Sequence, residues 1–252
     1  MMYKAKDGHL YRVRTAERRD LLQMVRVHNL SACRTYEPFR KQYPHLYTPF
    51  SKANLKSSWD GYFAKCEKNE NFIGIVVEKL SADSRGNVAS RIVGVCKAGT
   101  LGPQYREHLE EVRGQKLADN EAAAYANLQT IYIDPAYQGL GLGRAIMGYF
   151  ANHYSAKGCR HALTETLSGY AESPKFFNKV GGAECLGDYS EDPQKAVNNS
   201  AQAAGQDIPL KLWLMPDLSA MKMTCYFERK YREQQAKRAA VMTAAKGARY
   251  GY

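Results

Sequence analysis

Leu128-Gln129-Thr130-Ile131-Tyr132-Ile133-Asp134-Pro135 and, after Ala136-Tyr137, Gln138-Gly139-Leu140-Gly141-Leu142-Gly143 decide the fold of this chain. The first run is apolar and β-branched and predicts a strand. Asp134-Pro135 ends it, because proline cannot continue a ladder and restricts the residue before it. The glycines then open a helix through Arg144-Ala145-Ile146-Met147-Gly148-Tyr149-Phe150-Ala151-Asn152-His153-Tyr154, where apolar residues recur at three and four. A glycine-rich turn between strand and helix leaves backbone N–H groups uncovered at the positive end of the helix dipole. Such a turn suits an anionic group, most often a phosphate. Two well-known phosphate loops are excluded by spacing. A Walker A loop needs Lys-Ser/Thr after its last glycine, and Arg144-Ala145 stands there. A dinucleotide G-x-G-x-x-G needs a glycine at 144 or 146, and those are Arg144 and Ile146.

What remains is Gln/Arg-x-x-Gly-x-Gly/Ala, carried by Gln138, Gly141 and Gly143. In its strand–turn–helix setting this hexapeptide resembles the pyrophosphate loop of the GNAT superfamily, N-acyltransferases that use acyl-coenzyme A. A glycine-rich helix start that binds nothing is the alternative. The resemblance implies an α/β (α+β) GNAT fold, with a central mixed, mostly antiparallel, splayed sheet flanked by helices. It also implies a coenzyme site. Gln138, Gly139, Leu140, Gly141, Leu142, Gly143 and Arg144 would form the loop, and backbone groups of Ile131, Tyr132 and Ile133 would hold the pantetheine arm. Ser173, Phe176, Phe177 and Lys179 would close the site from a later helix.

The order of elements fits the same superfamily over roughly residues 8 to 218. Leu10–Arg14 reads as a first strand, Ala16–Ala32 and Lys52–Lys68 as helices, and Asn71–Glu78 with Arg91–Cys96 as a hairpin turning at Asp83–Asn87. Ala162–Leu167 reads as the strand after the glycine-loop helix. Ser173–Val180 reads as a short helix opened by Pro174 and closed by Gly181-Gly182, and Leu210–Met215 as a late strand. Two segments exceed the minimal pattern. Pro103–Ala124 is polar, helical and inserted before the glycine-loop strand; Asp192–Asp207 is a flexible or helical excursion. The expected division is one acyltransferase domain over 1–218 and a basic helix or tail over 219–252.

With 252 residues the chain can bury a proper core. It has no run of 18 apolar residues, and Met1–Asp20 is highly charged, so neither a membrane span nor a signal peptide is expected. The cysteines Cys33, Cys66, Cys96, Cys159, Cys185 and Cys225 show no paired spacing. No metal site, no disulfide framework and a reducing, cytoplasmic setting are the expectation. Net charge is +11, and 229–252 carries seven basic residues against one acid, Glu233. Met223, Phe227 and Tyr231 stand one helical turn apart, so the tail should dock at its start. It could hold nucleic acid or an acidic partner, or be a solvated helix face.

Acyl transfer to an amine needs a neutral amine, a stabilised oxyanion and a proton for the leaving thiolate. Family members commonly supply that proton from a tyrosine in the fourth helix of the pattern. Here Phe176-Phe177-Asn178-Lys179-Val180-Gly181-Gly182 puts Phe177 at that position. Tyr170 could supply the phenol instead, or pack on the coenzyme. Glu165 is the best-placed carboxylate, sharing a strand face with Leu163 and Leu167, a costly position unless that face opens into a polar site. Asn127 stands near where some members place a catalytic glutamate and could orient a water. Glu121 is a weaker candidate base. The cysteines have no neighbouring base for a covalent relay, so direct transfer in a ternary complex is expected. Glu165, Gly169, Ser173-Pro174, Gly181 and Leu214-Met215-Pro216 also resemble the end of the arginine N-succinyltransferases, which does not set the acyl group. The aromatic, basic segment 34–50 is expected to line an acceptor pocket or to pin a long loop. The expected activity is transfer of an acetyl group from acetyl-CoA to a primary amine, small molecule or peptide. The alternatives are a catalytically weak coenzyme A-binding module, suggested by Phe177, and acetylation of an RNA-linked or protein amine.

Overall fold

The computed structural model describes residues 1–39, 41, 50–82, 88–168, 170, 172–191 and 208–221. The expected turn at 83–87, the excursion at 192–207, Gly169 and the basic tail beyond Met221 lie outside the described residues, as does most of the acceptor segment 40–49. Among the described residues the chain runs β1 Met2–Lys4, β2 Leu10–Thr15, α1 Leu21–Tyr36, α2 Lys52–Lys68, β3 Ile73–Ala82, β4 Val88–Thr100, α3 Pro103–Arg113, α4 Asp119–Ala122, β5 Tyr125–Ile133, α5 Leu142–Ala156, β6 His161–Leu167, α6 Glu172–Gly181, β7 Glu184–Glu191 and β8 Ile208–Met215. The strands form one sheet in the order β1-β2-β3-β4-β5-β6-β8-β7. Among the described residues only the β5–β6 pair is parallel. The expected mixed, mostly antiparallel sheet is therefore present.

Alternation along the strands sends side chains to two layers. Ile75, Val77, Val93, Ala126 and Leu128 face α5, whose Leu142, Ile146, Met147 and Phe150 are buried among them. Full burial of each such side chain stabilises by about 1.5–3 kcal/mol. Val76, Ile92 and Val95 face the other way, onto Met24 and Val27 of α1 and Trp59 and Phe63 of α2. On that second face α3 covers Tyr125, Leu163, Leu212 and Leu214 through Leu109.

Several local readings shift. The first helix begins at Leu21 rather than Ala16, because Asp20 is recruited elsewhere: it accepts from the Glu17 N–H at 2.7 Å and is gripped by both Arg14 terminal nitrogens. The stretch Arg18–Asp20 is a 3-10 turn instead. An N-terminal strand, β1, adds an edge that the sequence pattern did not single out. Segment 103–124 forms two helices, since Gly114 takes a left-handed φ of 65° and ends α3. His28 is a core histidine. Its Nδ1 accepts from Trp59 Nε1 at 3.2 Å, and burial, helped by nearby Lys97, pulls it down to about 3.

Candidate active site

The ladder between β5 and β6 runs from Tyr125–His161 to Leu128–Thr164 and stops. Beyond it β5 stays with β4 as far as the Ile133–Gly94 pair, and β6 stays with β8 as far as Leu167–Leu210. The two strands part, and a cleft of about 550 Å³ opens between them. A register shift at Lys97/Ala98, opposite Gln129, falls at the same level, where a bulge adds local twist. Thr164 Oγ1 donates to the Leu128 carbonyl at 2.9 Å and closes the base of the split.

One side of the cleft is the glycine loop. Ile131, Tyr132, Ile133, Gln138, Gly139, Gly141, Leu142, Gly143 and Arg144 line it, with Ser173, Phe176, Phe177 and Lys179 from α6. Leu140 is the exception among the expected loop residues; its carbonyl accepts from the Tyr3 hydroxyl at 3.5 Å. The loop glycines have different jobs. Gly141 caps α5 at φ 87°, a backbone that L side chains rarely adopt, and a Cβ there would meet the Tyr3 hydroxyl. A Cβ at Gly143 would meet the Phe176 ring at 2.8 Å, so this glycine serves the packing of α6 on α5. Gly139, at φ 77°, has open space around it. Lys6, Arg144 and Lys179 add positive charge to the dipole of α5 on this wall. Phe177 is 3% exposed. Neither Tyr3, on the three-residue β1, nor Lys6, in the turn after it, was singled out from the sequence, because so short a strand and its turn carry no motif.

The other side is phenolic and acidic. The Tyr36 and Tyr132 hydroxyls lie 3.5 Å apart. Tyr36 stacks on Phe50 at 4.8 Å, Tyr132 lies over His28 at 4.5 Å, and Tyr170 meets Phe39 edge-on at 6.5 Å. Burial raises both the Tyr36 and Tyr132 phenols, and neighbouring Tyr170 adds to the rise. Both therefore stay protonated at neutral pH. Glu165 lines the cleft, and its Oε1 lies 2.9 Å from His108 Nδ1 of α3. Glu165 sits where its strand face meets the cleft, while Leu163 on the same face is buried in an apolar cluster. Asn127 is fully buried on that same face, off the cleft wall, and its amide nitrogen and oxygen have no partner among the described residues. Glu121 lies in α4 and its Oε2 accepts from the Ala118 N–H at 3.1 Å, a capping role. No cysteine lines the cleft among the described residues. Burial raises the thiols of Cys66, Cys96 and Cys159, which keeps them protonated. Among the described residues no group of three potential metal ligands occurs, and no helix is long and apolar enough to cross a membrane.

The chain belongs to the acetyltransferase (GNAT) family, whose model matches residues 24–181. Its fold is similar to that of an N-acetyltransferase from Staphylococcus aureus Mu50, at 15% identity, 82% of this chain, 98% of that one and a TM-score of 0.51. It is also similar to a ribosomal-protein-alanine N-acetyltransferase from Brucella melitensis, at 14% identity, 81% and 98% coverage and a TM-score of 0.50. The PaiA N-acetyltransferase from Thermoplasma acidophilum, solved with coenzyme A, matches at 16% identity, 80% and 97% coverage and a TM-score of 0.45. No curated protein matches the chain. The comparisons establish the family and do not extend to the arginine N-succinyltransferases.

Proposed function

We propose that this acetyltransferase moves the acetyl group of acetyl-CoA directly to a primary amine of a small molecule or peptide, in a ternary complex. The observation that supports this most is the split between β5 and β6, with the glycine loop on one wall and a carboxylate among phenols on the other. Acetyl-CoA, when bound, supplies the activated thioester. The residues present fit it: open Gly139 and the α5 N-terminus suit a pyrophosphate, and the β5 edge freed at 129–133 suits an extended pantetheine arm. Glu165 takes a proton from the acceptor ammonium, leaving a neutral nucleophile. Tyr170, grouped with Tyr36 and Tyr132, gives the leaving thiolate its proton and so stands in for the absent tyrosine at Phe177. The buried thiols fit direct transfer rather than a cysteine relay. The segment 103–124 serves the acceptor wall, and 1–218 acts as one unit.

The test has two arms. Acetyl-CoA at about a hundred times its Kd should stabilise by about 2.7 kcal/mol. For a domain of this size that raises Tm by about 5–10 °C. Free thiol should then appear when alkylamines, amino acids, peptides or aminoacyl-tRNA are added. No Tm shift with millimolar acetyl-CoA, succinyl-CoA or CoA removes the reading. A shift without thiol release across the whole panel favours a coenzyme-binding module.

A further inference from the structure

Helix α3 brings one side chain to the site that the acetyl-transfer reading leaves without a role. His108 Nδ1 and Glu165 Oε1 are 2.9 Å apart, with side chains 14% and 15% exposed. A carboxylate can only accept, so Nδ1 carries the proton and donates. The helix that holds His108 is fixed independently of this bond. Glu110 accepts from the Leu117 N–H at 3.0 Å and from Arg106 Nε at 2.9 Å, and Lys116 Nζ lies 3.0 Å from its second oxygen. Arg106 reaches on to Asp119 at 2.7 Å and to the Leu117 carbonyl. Leu109 is completely buried, and Val112 packs on Gly187, where a Cβ would come within 3.0 Å of it.

The face under Glu165 carries a second observation. Asn127 pairs with Leu163, two residues before Glu165, and is 0% exposed with both amide atoms unpartnered among the described residues. A buried amide of this kind is costly unless polar chemistry runs beside it. The same face carries Leu163, Leu212 and Leu214 in an apolar cluster, so a charged Glu165 there depends on the N–H that His108 brings.

We infer that His108 is the positioning residue of the acceptor base: its Nδ1–H fixes the Glu165 carboxylate at the cleft edge, where it takes the ammonium proton. Glu165 lines the cleft and His108 does not, so the carboxylate meets the amine and the imidazole acts through it. The inference rests on the acetyl-transfer reading. The acceptor enters as an ammonium ion and loses two protons, one to Glu165 and on to solvent, the other to the leaving thiolate. The C–N bond forms as the C–S bond breaks. The segment 103–124 thereby becomes part of the catalytic apparatus.

The test uses the full chain and thiol release at saturating acetyl-CoA. n-Propylamine, spermidine and lysine methyl ester serve as ammonium acceptors, methoxyamine as one already neutral at pH 7.5. His108→Ala should lower kcat for the ammonium acceptors by about tenfold to a hundredfold, the worth of a charge-assisted hydrogen bond. The loss with methoxyamine should be much smaller, because that amine needs no base. His108→Asn, which keeps an N–H near the place of Nδ1, should recover most of the rate, with the acetyl-CoA Tm shift intact in both variants. An unchanged rate in His108→Ala overturns the inference, as do equal losses with both classes of amine or no recovery in His108→Asn. Wild-type protein that releases no thiol with these four or with the wider panel of amines removes the acetyl-transfer reading, and this inference with it. Wild-type release beside an indifferent His108 removes the inference alone.

Discussion

The two walls of the cleft are made in opposite ways. The wall proposed for the coenzyme comes mostly from one contiguous stretch, within residues 131–144, turning from β5 into α5. The acceptor wall is mostly side chains from separate places: Tyr36 ends α1, Tyr132 lies on β5, Glu165 on β6 and Tyr170 beyond it, with His108 behind from α3. A wall from one tight strand-to-helix turn needs glycines at fixed spacing and leaves a motif. A wall of dispersed side chains needs the fold to bring it together.

The sharpest way to break the first wall is Gly141→Val. A β-branched residue at φ 87° costs about 1–3 kcal/mol in backbone strain, and its side chain would displace the Tyr3 hydroxyl. The variant should melt lower and lose acetyl-CoA stabilisation altogether, as read from melts with and without the coenzyme. A full acetyl-CoA shift in this variant would separate the loop from binding. Next in size is Tyr170→Phe, which removes the proposed proton donor. It should lower kcat about a hundredfold while leaving the acetyl-CoA Tm shift in place. An unchanged kcat would return Tyr170 to a packing role against Phe39.

How much of this was legible follows the same division. The strand, Asp134-Pro135 and the glycine loop marked out the stretch that lines one side of the cleft, because each local rule acts on neighbours in the chain. Even there the reason for Gly143 lay elsewhere: its missing Cβ makes room for Phe176, more than 30 residues away. Glu165 was legible from alternation, since a glutamate between two leucines on one face needs a polar neighbour. Its partner was not. His108 sits in a polar helix with no motif, and only tertiary packing through Leu109 and Glu110 aims it. Tyr3 and Lys6 were missed because a short edge strand has no periodicity to read. Asp20 looked like part of a helix and is spent on Arg14 instead.

Two smaller effects sharpen the contrast between a chemical wall and its support. His28, under Tyr132, sits at about 3, against about 6.5 for a free histidine. Between those values the unfolded chain binds a proton that the folded chain refuses. Stability therefore falls as pH drops through that window, by about 1.4 kcal/mol per pH unit from this group. Denaturant melts between about pH 6 and about pH 4 should show a shallower slope for His28→Gln. An identical slope would place His28 in contact with solvent. The smallest effect expected is Arg144→Ala. This exposed cation on the first turn of α5 should weaken acetyl-CoA binding by about threefold to fivefold, and less in high salt.

If one wall holds the coenzyme and the other prepares the amine, the two functions separate in a single variant. Glu165→Gln tests it most directly, with amine-dependent thiol release measured beside the acetyl-CoA Tm shift. Release should fall by about a hundredfold to ten-thousandfold, with the Tm shift equal to that of the wild type. Release at the wild-type rate, or a Tm shift lost together with the activity, would contradict it.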